Sequence, residues 1–129
     1  MARSRHGALV FLLAATLLGT PHAFAQAQGS EQPDASHRAY EAALKCFVAN
    51  GRAIGLQERA GDLESAARYE QKARLSFDAA VRLGQSLGFS GTRINQDLGI
   101  AQGRELPQMV SDTVYFERAV ATCRALGLM

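Results

Sequence analysis

The chain has 129 residues, 14 of them basic and 12 acidic, and a formal net charge of +2. That length accommodates one small domain. Arg3 and Arg5 sit in a leader-like start, and without them 12 basic residues face 12 acidic ones. This argues against the basic surface that a nucleic acid or an acidic membrane would need.

Residues 1–25 read as a secretory signal peptide. Met1–His6 is short and basic, Leu9–Leu18 is a ten-residue apolar run, and Ala23-Phe24-Ala25 supplies a small-residue cleavage site. A spanning helix needs about 20 apolar residues, and Pro21 and His22 interrupt the run first. The expectation is export to the periplasm or exterior, cleavage after Ala25, and no stable membrane insertion afterwards. In such a compartment Cys46 and Cys123, the two cysteines, are expected to form one disulfide. Gln26–Ala35 is polar, contains Gly29 and Pro33, and reads as a flexible lead-in. The folded domain is therefore expected over 36–129.

A first helix is expected from near Ser36 to about Ala60. Tyr40, Leu44, Phe47, Gly51 and Ile54 recur at helical spacing on one face, with Gly51 admitting a close neighbour. Gly61-Asp62 ends that helix and caps the next. The second helix turns Ala66, Tyr69, Ala73, Phe77, Ala80, Gly84 and Leu87 inward. Glu64–Arg68, Glu70–Arg74 and Asp78–Arg82 are acid-then-base pairs four residues apart. Long and clean at both ends, this helix is expected to be the central strut, closed by Gly88-Phe89. A weaker third helix starts at Ser90 and buries Ile94, Leu98 and Ala101, with Pro107 either kinking or restarting it. The last helix starts at Ser111-Asp112 and faces Phe116, Ala119, Val120, Cys123 and Leu126 inward.

No segment alternates as a strand does. The fold is expected to be all-α, a small four-helix bundle of up-down-up-down order. The first and last helices would be antiparallel neighbours, stapled by the disulfide. The run ERAGDLESAARYEQKA resembles the turn of a tetratricopeptide repeat at Gly61, Asp62, Ala66 and Ala73. The likeness covers about half of one repeat and does not recur about 34 residues later. A stacked array is therefore not expected.

His37 is the only histidine beyond the expected cut, which leaves no His-pair zinc motif. The chain lacks C-x-x-C, a Walker loop, a dinucleotide fingerprint and G-x-S-x-G. No cofactor, metal site or catalytic set is expected. Candidate ligand or partner contacts are Arg38, Lys45, Arg52 and Arg59, which recur every seven residues opposite the apolar face of the first helix. A solvated face, with Glu41 pairing Lys45, is the alternative. Glu70 falls inside the apolar arc of the second helix, with Arg74 as its local partner. Residues 89–106 carry Asn95, Gln96 and Gln102 on a poor helix, and such segments often bind.

These features point to an exported, non-catalytic binding, interaction or chaperone-like module for a protein or small-molecule partner. The alternative is a small all-α enzyme that uses positioned Arg and Glu groups on an anionic substrate. Leu75 and Leu128 are candidates for a homodimer surface.

Overall fold

The structure, a computed structural model, describes residues 22–129, with side chains from Ala35 onward. The expected signal peptide lies outside these residues except for its last four positions. Four helices follow one another: α1 (His22–Ala60), α2 (Leu63–Ser86), α3 (Gly91–Ser111) and α4 (Thr113–Ala125). There is no strand among the described residues. The fold is thus an all-α four-helix bundle with one disulfide, Cys46–Cys123. The helix α1 begins at His22 rather than near Ser36 and so includes the lead-in expected at 26–35. Every side-chain contact described below comes from Ser36 or later.

The turns follow the chemistry written in the sequence. Gly61, Gly88 and Gly127 take left-handed φ values of 76°, 81° and 72°, which glycine adopts without a Cβ penalty. After α2 the Gly88 N–H donates to the Gln85 carbonyl and the Phe89 N–H to that of Gly84, both at 2.9 Å. This paired closure satisfies carbonyls that the helix end would leave bare. Asp62, Ser90 and Asp112 cap the starts of α2, α3 and α4 by accepting from Ser65, Arg93 and Tyr115 amides at 3.0–3.1 Å.

The central helix is α1, not α2. It packs against all three other helices, whereas α2 and α4 make no close backbone contact. Tyr40, Ala43, Leu44, Cys46, Val48, Ala49, Asn50 and Ala53 are all buried on it, well beyond a single stripe. A helix covered on several sides loses its amphipathic signature, which is why the cleaner pattern of α2 looked more central. Tyr40 lies against Gly84 and Phe47 against Phe77, so α1 and α2 run antiparallel. Tyr40 reaches Asp97 and Lys45 reaches Glu105, so α3 runs parallel to α1. Up, down and up are therefore the directions of α1, α2 and α3. After Asp112 the chain turns and Tyr115 meets Glu105, but α4 does not take the expected course antiparallel to α1.

The direction of α4 is less regular. Lys45 meets Tyr115 near its start, Cys46 meets Cys123, and Asn50 meets Leu128 just past its end. Six residues of α1, about 8 Å of axis, span all thirteen of α4, about 20 Å. The last helix therefore crosses α1 steeply instead of running beside it. Gly127 then turns the chain back, so Leu128 packs against the core while Leu126 stays 53% exposed. The expected inward Leu126 and outward Leu128 are thus exchanged.

One other expectation is corrected, and the alternatives at Pro107 are decided. The close approach is at Gly84, where a Cβ would meet Ile94 carbons at 2.8 Å and a Tyr40 ring carbon at 3.0 Å. Gly51 has nothing within 4 Å. Pro107 neither ends nor restarts α3, which runs through it to Ser111. The Gly103 carbonyl deprived of its donor lies on an exposed stretch where water can replace the missing N–H. The unbroken helix buries Glu105 and Met109 in register with Ile94 and Ala101.

Two stability predictions follow from this packing. Cys46 and Cys123 are separated by 77 residues, for which loop-closure entropy gives about 4.5 kcal/mol. Urea unfolding of the Cys46→Ser/Cys123→Ser variant should show a loss of that order, and a loss under about 1 kcal/mol would contradict it. For Gly84→Ala, crowding against fully buried Ile94 outweighs the helix-propensity gain of about 1 kcal/mol. The variant should melt below the parent, and an unchanged or raised Tm would show that Ile94 yields.

Candidate functional site

A groove of about 720 Å³ lies between α1, α2 and α3. Its walls are apolar: Phe47, Val48 and Ile54 from α1, Ala73 and Phe77 from α2, and Leu106 from α3. Polar groups stand among them, namely Arg52 on α1, Glu70, Arg74 and Asp78 on α2, and Gln102 on α3. The groove exists because the residues between the walls are small. Gly51 brings no side chain to its floor and Ala73 only a methyl, while the Phe47 and Phe77 rings stand 6.2 Å apart. Volume and lining fall within the range of small-molecule sites, roughly 300–1,000 Å³ with a few polar groups.

Glu70 is on this groove, where its place in the apolar arc of α2 put it. Its carboxylate accepts from the Arg74 guanidinium at 2.6 Å and is largely exposed. It is a rim residue in an intrahelical pair worth a few tenths of a kcal/mol. Glu64–Arg68 forms in the same way at 2.6 Å. Asp78–Arg82 is not an ion pair, because Asp78 turns to the groove instead.

The seven-residue row of α1 is not one surface. Arg38 and Arg59 are exposed, Lys45 and Arg52 are half-buried, and each meets different neighbours. Rotation of about 20° per seven residues carries a heptad row around a straight helix, and the packed sides of α1 intercept its middle members. Lys45 does not pair with Glu41. It lies 3.6 Å from a Glu105 carboxylate oxygen, donates to the Tyr115 hydroxyl at 2.8 Å, and sits 4.3 Å from the Tyr115 ring centroid. Tyr115 in turn donates to Glu105, and Arg104 donates to the other Glu105 oxygen at 3.0 Å.

Glu105 is 5% exposed. Burial pushes its pKa upward, but hydrogen bonds from Tyr115 and Arg104 and the charges of Lys45 and Arg104 together hold it below the ordinary value. The network satisfies Glu105 completely and leaves no free group facing a sizeable cavity. A second network ties α1 to α3. The Tyr40 hydroxyl donates to Asp97 at 3.0 Å, and Arg93 clasps both Asp97 oxygens at 2.9–3.0 Å. Burial and then the Asp97 carboxylate push the Tyr40 phenol up to about 12. His37 stands edge-on to Phe89, with 5.8 Å between the ring centroids.

Among the described residues, two buried side-chain atoms find no hydrogen-bond partner, Asn50 Oδ1 and Arg52 Nε. Only Arg52 lines the groove. No group of three metal-ligating side chains occurs among the described residues, and none of the described helices is long and apolar enough to cross a membrane. Comparison with protein-family models, characterised proteins and solved structures gives no significant match.

The Glu105 network sets an acid response. A carboxylate held below its unfolded value stabilises the fold above that value, near 4.5, and the contribution is lost as pH falls from there through the folded pKa. Glu105→Gln should cost roughly 2 kcal/mol at neutral pH and flatten the stability loss below pH 4.5. Parallel acid-unfolding curves for parent and variant would contradict the assignment.

Proposed function

We propose that this protein is a non-catalytic binding module whose ligand seats in the groove between α1, α2 and α3. The carrying observation is the groove itself, an open apolar trough whose walls come from three helices fixed to one another by buried networks. Exposed apolar surface of this kind costs solubility and is kept where something covers it. The disulfide supports a working place outside the reducing cytoplasm. Its partner is a molecule small enough to lie in the trough.

The enzymatic alternative finds less support. Glu105 has two cations beside it, but both of its oxygens are already engaged, by Tyr115, Arg104 and Lys45. Glu70 is largely exposed and is engaged by Arg74. Neither arrangement aims an unspent acid or base at a cavity.

The neutral apolar fluorophore N-phenyl-1-naphthylamine tests the groove. Saturable fluorescence enhancement is expected with the parent protein. Gly51→Leu places a side chain in the groove where a Cβ meets nothing, and removes a helix-interior glycine costing about 0.5–1 kcal/mol. It should weaken probe binding by about tenfold or more with a Tm unchanged or raised. No saturable binding, or equal binding by the variant, would rule the groove out.

A further inference from the structure

We infer that the groove takes a monovalent carboxylate on an apolar chain, with the Arg52 guanidinium as the group that reads the carboxylate. This rests on the groove being the binding site and names its ligand class. Arg68, Arg74, Arg93 and Arg104 each hold a carboxylate at 2.6–3.0 Å. Arg52 has no carboxylate within ion-pair distance among the described residues, and its Nε is enclosed without an acceptor. Nε itself is covered, so the contact falls to the two Nη groups, which are not among the enclosed atoms and hold no carboxylate, and an anion brought to them gains a charge-assisted bond. The two Nη groups of the planar fork stand side by side, the spacing of the two oxygens of a carboxylate.

The surroundings narrow the class further. Phe47, Val48, Phe77 and Leu106 demand an apolar body for the ligand. On the α2 side of the groove Glu70 is neutralised by Arg74, and Asp78, which has no ion pair among the described residues, repels a second negative charge, which disfavours phosphates and dicarboxylates. A peptide terminus fits poorly, because Gln102 is the lone neutral amide side chain on the wall to satisfy backbone groups. A single-chain carboxylate satisfies Arg52 and the apolar walls together.

Isothermal titration calorimetry with dodecanoate, dodecan-1-ol and dodecyltrimethylammonium, each below its micelle-forming concentration at neutral pH, decides the matter. The parent should bind dodecanoate about tenfold or more tighter than dodecanol, with the ammonium weakest. Arg52→Met should erase that preference, and Arg52→Lys should keep part of it. Equal affinities for dodecanoate and dodecanol, or a preference that survives Arg52→Met, overturn the carboxylate assignment and leave the groove standing. Absence of heat with all three ligands overturns both. Should Arg52→Met fail to fold by circular dichroism, the parent's dodecanoate-to-dodecanol ratio and the Arg52→Lys value decide alone.

Discussion

Cys46 and Asn50, one turn apart on α1, both hold the far end of the chain. The Cys46 sulfur is bonded to Cys123, and the Asn50 amide donates at 2.8 Å to its own helix at the Cys46 carbonyl and to the Leu128 carbonyl. Ser76 of α2 lies 3.2 Å from that same Leu128 oxygen, and Lys72 donates to the Gly127 carbonyl at 3.1 Å. Since α2 and α4 make no close backbone contact, this polar junction, formed after α4 has ended, is what joins them. One covalent bond and a few hydrogen bonds to a single carbonyl thus fasten three helices and the chain terminus.

The rest of the architecture follows from a core of small side chains. Ala43, Ala49, Ala73, Ala80 and Ala119 let backbones approach but bury little apolar area each. Specificity comes instead from Gly84, which receives Ile94 and Tyr40, and from the two polar networks between α1 and α3. A buried carboxylate such as Glu105 is tolerable because three donors or cations converge on it, and removing any one leaves the others uncompensated. The groove is the remainder of this economy of volume. Where glycine and alanine stand opposite two phenylalanines, the helices leave a trough that their own side chains do not fill.

The candidate site was partly legible. Glu70 stood out because a carboxylate interrupts an apolar arc, and it does lie on the groove. Arg52 was marked only as one member of a heptad row, and the row itself dissolves in three dimensions. Lys45 goes to Glu105, Arg52 to the groove, and Arg38 and Arg59 to the surface. Glu105 could be named as a candidate anion-site carboxylate, but its burial and that of Met109 were not legible, because Pro107 left open whether α3 continues, and a proline on an exposed helix face is cheaper than one whose lost bond is buried. Ser76 and Asn50 carried no pattern at all. Their roles depend on a carbonyl more than fifty residues away in the chain.

By itself the sequence determined the capped ends at Gly61-Asp62, Gly88 to Ser90 and Asp112, the all-α class and the pairing of the two cysteines, because these rest on local backbone chemistry and on a choice of one. Glycine after a helix, a capping Asp or Ser before one, and the spacing of apolar residues act within a few positions of each other. The tertiary structure alone decided which helix is central, how α4 crosses it, and which face of α1 becomes a binding wall. Those depend on which surfaces are covered and on distances between residues far apart in the chain. A helix enclosed by three others reads in sequence as a weaker pattern than one with a clean solvent face, and that is why α2 looked like the axis and α1 is.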